Sequence, residues 1–278
     1  MDNKPGDYFR FQAISLPGVS HVLAVASGKG GVGKTTIAVN LALALLRSSA
    51  RVGLFDADLY GPNVPLMLGV RRIQPARGFV TIERQDTVPY IEPLERFGLK
   101  VMSLGFVVGD AEAVMPDPFY AGAIIRQTIR DIMWDKLDYL ILDFPPGSGE
   151  PQQTLLKTIP IEGAVIVTTP QDLSLADASR SINMFRRSNV PVIGVVENMS
   201  YLNCPHCGKP VEIHARQGQN WIVDGDDIVH LGRIPMSISL GRRVTAEHPL
   251  LQPTLTDPDY LVFQDIASKV TGFFLEKH

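Results

Sequence analysis

The chain has no strong excess of charge of either sign and no long apolar run. Its 278 residues carry 26 Lys and Arg against 29 Asp and Glu, a formal net charge of −3. A protein that binds nucleic acid through its overall field is strongly basic, so we expect no nucleic-acid partner. No apolar stretch is long enough to cross a bilayer, and residues 1–12 lack the apolar core of a signal peptide. We therefore expect a cytoplasmic protein with no membrane partner.

Cysteine is nearly absent. The two cysteines, Cys204 and Cys207, lie in one Cys-Pro-His-Cys-Gly segment. A spacing of two residues is poor for a structural disulfide but common in metal and redox sites. A four-thiolate site for zinc or for a [4Fe–4S] cluster needs four cysteines, so one chain carries half of such a ligand set.

Apolar runs typical of buried strands alternate with helical patterns along the chain. This alternation predicts an α/β fold, a mostly parallel sheet flanked by helices on both faces. We expect a single domain over 1–278, with an N-terminal extension at 1–20 and a metal loop at 198–220. The predicted strands are Val22–Ala26, Arg51–Phe55, Leu99–Ser103, Tyr139–Leu142, Ala164–Thr168 and Val192–Val196.

Helical spacing follows Lys34 and recurs at Tyr120–Trp134 and Leu173–Arg187. Residues Tyr260–Leu275 also show it, and two interpretations are open: a helix packed on the sheet, or a helix on a membrane surface. The segment has few basic residues, which favours packing. The proline-rich stretch Pro62–Pro65 predicts a surface loop.

The segment from Gly28 to Thr35, Gly-Lys-Gly-Gly-Val-Gly-Lys-Thr, matches the Walker A pattern of P-loop nucleotide-binding proteins. It follows a predicted strand and opens a predicted helix, as that motif requires. Glycines let backbone amides surround an anion at a helix N-terminus. Lys34 is expected to meet the β- and γ-phosphates of ATP, and the Thr35 hydroxyl to bind Mg²⁺.

Aspartates end two of the predicted strands. Asp143 follows Tyr139–Leu142, where a Walker B carboxylate holds Mg²⁺ directly or through water. Asp56 and Asp58 follow Arg51–Phe55 in an Asp-Ala-Asp segment. Ligands of open α/β sheets bind at the carboxyl ends of strands, so we expect all three aspartates to face the phosphates.

Six segments together resemble one group within the deviant Walker A class, which includes the Min and Par ATPases and the nitrogenase iron protein. The chain is similar to the Mrp/ApbC iron–sulfur cluster carrier ATPases, from about Gly18 to Glu247. The segments are Ala26–Thr36, Asp56–Asn63, Asp143–Gly149, Thr168–Gln171, Val196–Ser200 and Cys204–Gly208.

The resemblance implies a homodimer that binds ATP near its interface and hydrolyses it slowly. Lys29 would reach the partner's nucleotide, and Asp58 would position the attacking water. Asp56 would support Mg²⁺, and Asn198 would recognise adenine. The implied nucleotide-binding residues are Gly28, Lys29, Gly30, Gly31, Val32, Gly33, Lys34, Thr35, Thr36 and Asn198. From the residues alone, Lys29 could equally be a solvated loop charge.

Three interpretations of Cys204 and Cys207 are open. In a symmetric dimer, two such pairs would hold a [4Fe–4S] cluster between the subunits, as the resemblance implies. Zinc could instead be bound with His206 or His214, or by the second subunit. The pair could also carry no metal.

The resemblance then implies a carrier that transfers the cluster to apo-proteins. Two alternatives are a positional ATPase of the Min and Par kind and a reductase component like the nitrogenase iron protein. The first would need a basic or amphipathic surface. The second takes its cysteines from separate strand-end loops, which the Cys-x-x-Cys spacing does not match.

Overall fold

The structure, a computed structural model, describes residues 14–81, 87–108, 118–204, 206–213, 221–223, 225–236 and 258–276. Within them an eight-stranded sheet has the order β14-β9-β8-β1-β7-β2-β6-β5. All neighbouring pairs are parallel except β5 with β6, which is antiparallel. Its strands are β1 (Val19–Ala26), β2 (Val52–Asp56), β5 (Leu94–Arg96), β6 (Leu99–Ser103), β7 (Leu137–Asp143), β8 (Gly163–Thr168), β9 (Val192–Glu197) and β14 (His230–Arg233).

In the described residues, three antiparallel hairpins accompany this sheet, and none of them was predicted from the sequence. They are β3 (Arg77–Thr81) with β4 (Thr87–Ile91), β10 (Tyr201–Asn203) with β11 (Pro210–Glu212), and β12 (Trp221–Val223) with β13 (Asp226–Ile228).

The helices of the described residues include four of at least 14 residues and three shorter ones. They are α1 (Lys34–Arg47), α2 (Val64–Met67), α3 (Gly105–Val108), α4 (Pro118–Asp131), α5 (Glu150–Thr158), α6 (Asp172–Arg187) and α7 (Pro258–Leu275). Helix α1 packs against α7, and α4 packs against α5.

The central strands are buried on both faces, which confirms the predicted covered parallel sheet. Every residue of β2 and β8 is buried, and the last five residues of both β1 and β7 are buried as well. Side chains alternate between the two faces of a strand, so a fully buried strand needs cover on both. Each predicted strand lies within an observed strand, except that Arg51 precedes β2.

The prediction of a surface loop at Pro62–Pro65 is wrong in part. Val64 and Pro65 begin α2, and both are buried against the core. Proline is well tolerated in the first turn of a helix, where its missing N–H costs nothing. The proline-rich composition therefore marked a helix start as well as a turn.

Residues Tyr260–Leu275 lie within α7, and its apolar stripe is buried as the packing interpretation predicted. Phe263, Ile266, Ala267, Val270 and Phe274 are each at most 2% exposed. Helix α7 contacts α1 and β14. Among the helices of the described residues, none is long and apolar enough to cross a membrane.

Candidate nucleotide and metal site

The predicted site residues meet at the carboxyl edge of the sheet. Strand register places Asp143 beside both Val25 and Asp56, and Asp56 beside Ser103. The P-loop follows β1, so the loop, both strand-end aspartates and Ser103 lie at one edge. The structure thus brings together the P-loop and the aspartates that the sequence placed there.

The loop backbone is shaped by glycines in the left-handed region. Gly31 has φ +80° and Gly33 has φ +83°, a conformation that side chains with a Cβ disfavour. Helix α1 begins at Lys34 with Gly33 at its N-cap and no capping side chain among the described residues. The amides of its first turn are therefore available to an anion.

Two loop glycines are also required by close neighbours. A Cβ on Gly28 would lie 2.1 Å from the backbone oxygen of Asp177 in α6. A Cβ on Gly33 would lie 2.3 Å from Asn198 Nδ2. Gly30 and Gly31 have open space on that side instead. The two ends of the loop thus pack against α6 and Asn198, while Gly30 and Gly31 in its middle have open space beside them.

Lys34, Thr35 and Asp143 form one buried cluster. Lys34 Nζ donates to Asp143 Oδ1 at 2.5 Å, and Thr35 Oγ1 donates to Asp143 Oδ2 at 2.7 Å. Lys34 is 6% exposed and Asp143 is fully buried. Burial raises the pKa of Asp143, while the Lys34 ammonium and the Thr35 hydroxyl act in the opposite direction. Removing the Lys34 ammonium would leave Asp143 as a buried charge without a cation, which is strongly destabilising.

Asp56 is held rigidly beside this cluster. Its carboxylate accepts hydrogen bonds from the amides of Asp58 and Val64 and from the Ser103 hydroxyl, each at 3.1 Å. The side chain is fully buried, and burial, with repulsion from Asp143, raises the pKa of Asp56 to about 8. Sequence reasoning missed Ser103, although a polar residue at the end of a parallel strand signals a site position.

Asp58 and Lys29 lie at the rim of the pocket. Asp58 is 8% exposed, and its Oδ1 accepts a hydrogen bond from the Gly61 amide at 3.1 Å. Lys29 Nζ donates to Gln171 Oε1 at 3.4 Å, a long contact in a partly exposed place. Lys29 therefore has a local partner, but this partner is a neutral amide, which an anion could replace.

Asn198 connects the P-loop to the end of β9. Its side-chain Nδ2 donates to the Val32 carbonyl at 2.8 Å, and its backbone N–H donates to the Thr168 carbonyl at 2.8 Å. The residue is 6% exposed. This contact with the loop was not predicted. Recognition of adenine by Asn198 remains a prediction, because this contact does not test it.

Thr36 has a half-buried side chain in the first turn of α1, next to Thr35. Its carbonyl accepts a hydrogen bond from Asn40 Nδ2 at 2.7 Å. That bond lies within α1 and does not involve the Thr36 hydroxyl.

Gln152 is a second residue that sequence reasoning missed. It is buried, and its Nε2 donates to the carbonyls of Pro145 and Pro146, the former at 3.1 Å. This fixes the turn that follows Asp143, where the Gly147 amide also bonds the Ser27 carbonyl at 3.0 Å. The turn that carries Asp143 is thereby tied to the start of the P-loop.

The oxygen donors fit Mg²⁺ bound together with phosphates. Mg²⁺ prefers oxygen ligands and usually takes only one or two from protein, with the rest from phosphate and water. The Thr35 hydroxyl and the Asp143 carboxylate already touch, and Asp56 lies next to Asp143 in the sheet register. Within the described ranges, no group of three or more His, Cys, Asp or Glu side chains is placed to hold a metal ion.

The cysteine pair lies in the connection between β10 and β11. The Gly208 amide donates to the Cys204 carbonyl at 2.8 Å, and the Cys204 amide donates to the Lys209 carbonyl at 2.9 Å. Gly208 has φ +70°, which closes this tight turn. Cys204 is half-buried and Cys207 is exposed, and both are free thiols.

Local hydrogen bonds favour the thiolate of Cys204. The backbone amides of His206 and Cys207 donate hydrogen bonds to the Cys204 sulfur and lower the pKa of Cys204. The Cys207 thiol lowers this pKa further, with a smaller effect. His206 does not complete a three-ligand group with the cysteines within the part of the chain that the structure describes. The other predicted zinc ligand, His214, lies outside the described residues, as do residues 1–13 of the predicted extension and residues 205 and 214–220 of the metal loop.

A family model confirms the resemblance over most of the chain. It describes a ParA-type family, the NUBPL iron-transfer P-loop NTPases, and it matches residues 18–271. The chain belongs to this family.

Curated relatives carry names of the same kind. An iron–sulfur cluster carrier protein of Deinococcus radiodurans is 44% identical, over 91% of this chain and 69% of its own length. The carrier protein of Haemophilus influenzae is 39% identical, over 92% and 67%. An iron–sulfur cluster transfer protein, NUBPL of Dictyostelium discoideum, is 37% identical, over 92% and 77%.

Solved structures share the fold. A nucleotide-binding protein of Archaeoglobus fulgidus in complex with ADP has a TM-score of 0.68 and 29% identity, covering 88% of this chain and 92% of its own. The septum site-determining protein MinD of Pyrococcus horikoshii, with Mg-ADP, has a TM-score of 0.64 and 21% identity, covering 93% and 99%. At that identity the MinD likeness shows the fold alone.

Proposed function

We propose that this protein is a homodimeric ATPase that carries a [4Fe–4S] cluster, bridged between two subunits, and transfers it to apo-proteins in the cytoplasm. The observation that carries the proposal is the cysteine pair, in which Cys207 is exposed and Cys204 is half-buried. One chain presents two thiols on a tight turn, half of the ligands that such a cluster takes. The iron–sulfur names of the curated relatives support the same cargo.

The P-loop residues would bind and turn over ATP. On binding, the phosphates would replace Asp143 as the partner of Lys34, with the amides of the first turn of α1 around them. Mg²⁺, held by Thr35 and Asp143 with Asp56 behind them, would neutralise charge on the transferring phosphoryl group. Asp58, at the rim, would orient the attacking water. Phosphoryl transfer needs positioned charge more than covalent help, and this pocket supplies it.

Lys29 would act across the dimer interface. Its ammonium lies in a partly exposed place and makes a long contact of 3.4 Å with Gln171. A neutral amide is a weak competitor for a lysine against the negative charge of a partner subunit's nucleotide. An isolated subunit would hydrolyse ATP slowly, because its nucleotide would lack the Lys29 of a second subunit.

Asn198 would face the adenine as well as the loop. Its Nδ2 is used by the Val32 carbonyl, and its amide oxygen is the group that could accept from the adenine amino group. The same side chain would then contact both the base and the loop that holds the phosphates.

The two alternative functions have less support. A positional ATPase would need a basic or amphipathic surface. The apolar stripe of α7, which was the amphipathic candidate, is buried in the core. In a reductase component like the nitrogenase iron protein, the cysteines come from separate strand-end loops. Here both lie in a single hairpin connection.

The test compares iron and sulfide loading in the wild type and in a Cys204→Ser, Cys207→Ser variant, after anaerobic reconstitution. We expect a broad absorbance band at about 400 nm and about four irons per dimer in the wild type. The variant should lose both and keep its affinity for a fluorescent ATP analogue. Unchanged iron and sulfide in the variant would exclude the hairpin as the cluster site.

A further inference from the structure

The hairpin β10–β11 that carries the cysteines is attached to the sheet by Arg233, the last residue of β14. Arg233 Nη2 donates to Glu212 Oε2 in β11 at 2.6 Å. Its guanidinium carbon lies 5.1 Å from the ring centroid of Tyr201 in β10, a cation–π distance. One side chain therefore contacts both strands of the hairpin.

The same guanidinium faces the end of β9. Its Nε lies 3.7 Å from Glu197 Oε1, and Nη2 donates to the Ser200 carbonyl at 3.5 Å. Arg233 and Glu197 are direct partners in the parallel pairing of β14 with β9. Their side chains are 22% and 18% exposed, so water and salt screen this pair less than a surface pair.

Backbone hydrogen bonds join the same elements. The Ile234 amide donates to the Glu197 carbonyl and the Ser200 amide donates to the Ile234 carbonyl, each at 2.9 Å. The Met236 amide donates to the Tyr201 carbonyl at 2.7 Å. The start of the hairpin and the end of β14 are thus connected by backbone as well as by Arg233.

The end of β9 in turn touches the P-loop. Asn198, next to Glu197, donates to the Val32 carbonyl and occupies the space that a Gly33 side chain would fill. Met199 then turns the chain with φ +54°, and Ser200 Oγ closes the turn on the Glu197 carbonyl at 2.7 Å. Asn198, which contacts the nucleotide loop, is therefore within two residues of Glu197 and Ser200, which contact Arg233.

We propose that Arg233 is a positioning residue that couples nucleotide occupancy of the P-loop to the exposure of Cys204 and Cys207. Nucleotide would shift the loop and Asn198, and the turn at Met199 would pass that shift to Glu197 and Ser200. Arg233 would carry it to both hairpin strands, because it bonds to both sides. The proposal rests on the proposed function, but it concerns the thiols themselves and not the cluster.

The test measures the alkylation rate of the cysteines by iodoacetamide in the full-length, reduced, metal-free protein. The chain has two cysteines, so mass spectrometry reads each without interference from others. Rates are compared without nucleotide and with a saturating non-hydrolysable ATP analogue and Mg²⁺. In the wild type we expect the two rates to differ by about fivefold or more, a typical coupling between sites.

In Arg233→Gln the ratio of the two rates should move clearly toward one, because only the backbone connection remains. Arg233→Lys should restore part of it, because lysine keeps the charge but not the fork that bonds two acceptors at once. Analogue affinity is measured for each variant, so that every comparison uses filled sites.

Arg186 provides a matched control. It also ties a hairpin to the body of the protein: Nη1 donates to the Val223 carbonyl at 3.2 Å, and Nη2 lies 3.1 Å from Asp226 Oδ2. That hairpin, β12–β13, contains no cysteine. Arg186→Gln should therefore keep the wild-type ratio.

A second variant keeps the test decisive if Arg233→Gln does not fold. Glu212 is 45% exposed, so Glu212→Ala removes the acceptor that Arg233 bonds in the hairpin with little risk to the core, and its ratio should also move toward one. A wild-type ratio in Glu212→Ala, or a wild-type protein whose rates do not respond to the analogue, would overturn the proposal. Failure of iron loading would instead refute the carrier function and leave this result untouched.

Discussion

The nucleotide pocket and the cysteine hairpin are built in opposite ways. In the pocket, Lys34, Asp56 and Asp143 are at most 6% exposed, and each is held by neighbours from other elements. In the hairpin, Cys207 is exposed and Cys204 is half-buried, with hydrogen bonds from their own turn. One region is assembled by the whole sheet, and the other is a local turn.

The nucleotide pocket takes all of its described side chains from one chain, whereas the cysteine hairpin supplies only part of the ligands of a cluster. The pocket has its lysine, hydroxyl and carboxylates from a single chain, packed before any ligand arrives. The hairpin offers two thiols of the four that a cluster takes, on the surface where a second copy could approach. A cargo site that is exposed and incomplete also suits release, because separating the subunits would remove half of the ligands.

The largest expected effect is in the pocket. Lys34→Ala should lower ATP hydrolysis by at least about 100-fold, because it removes a positioned charge from the phosphates and leaves Asp143 buried without its cation. Phosphate release at saturating ATP measures this. Lys157→Ala, a change at an exposed lysine in α5, is the control and should keep the wild-type rate. Equal rates for the two variants would mean that Lys34 does not act on the phosphates.

Packing around the loop gives the next effect. Gly28→Ala should lower the free energy of unfolding by about 2 kcal/mol, because the new methyl group would overlap the Asp177 backbone oxygen in α6. Gly30→Ala lies in the same loop with open space around it and should stay within about 0.5 kcal/mol of the wild type. Urea denaturation compares them. Similar losses for both would show that α6 does not pack on the loop as described.

Asp56 should make the nucleotide-free protein sensitive to pH. Its pKa is about 8 in the folded chain against an ordinary value of 3.8. Between these values the folded state holds a proton that the unfolded state has released, so stability falls as pH rises through this window. The slope from Asp56 is at most about 1.4 kcal/mol per pH unit. Urea denaturation between about pH 6 and pH 8 measures it.

The comparison for this slope is Asp56→Asn, which has no proton to lose. The variant will be less stable overall, because the amide cannot accept all three hydrogen bonds that reach the carboxylate. Its pH slope should nevertheless be flatter than that of the wild type. The same slope in both proteins would mean that Asp56 is ionised in the nucleotide-free pocket.

The smallest expected effect is in the hairpin. The double change of Cys204 and Cys207 to serine should alter the free energy of unfolding by less than about 0.5 kcal/mol, because surface substitutions rarely matter more. Thermal unfolding of metal-free protein checks this. A large loss of stability would show that the thiols support the fold, and the contrast between the two regions would fail.

The parts of the site that lie on strand ends could be predicted from sequence. The P-loop, Asp56 and Asp143 follow strong apolar runs, and a parallel sheet brings the ends of such runs to one edge. Six of the eight strands of the sheet were predicted for the same reason, since buried strands are apolar throughout. The short edge strands β5 and β14 are only partly buried, and they were not predicted. Short, half-exposed hairpins such as β3–β4 lack that signal, and they were missed.

Contacts between distant segments could not be predicted from one sequence. The contacts of Asn198 with Val32 and of Arg233 with Glu212 join residues that are far apart in the chain. Gln152 bonds nearby carbonyls, but no motif of the sequence marks it. Nothing in the composition around Arg233 distinguishes it from a solvated charge. Pro65 was misassigned for a different reason, because proline favours a helix start as readily as a loop.

We have proposed that two chains share one cluster through their hairpins. Native mass spectrometry of the anaerobically reconstituted protein counts the chains and the iron in one species. We expect a species of two chains with one [4Fe–4S] cluster, which is lost in the Cys204→Ser, Cys207→Ser variant. A monomer with its own cluster, or one zinc ion per chain and no iron, would contradict it.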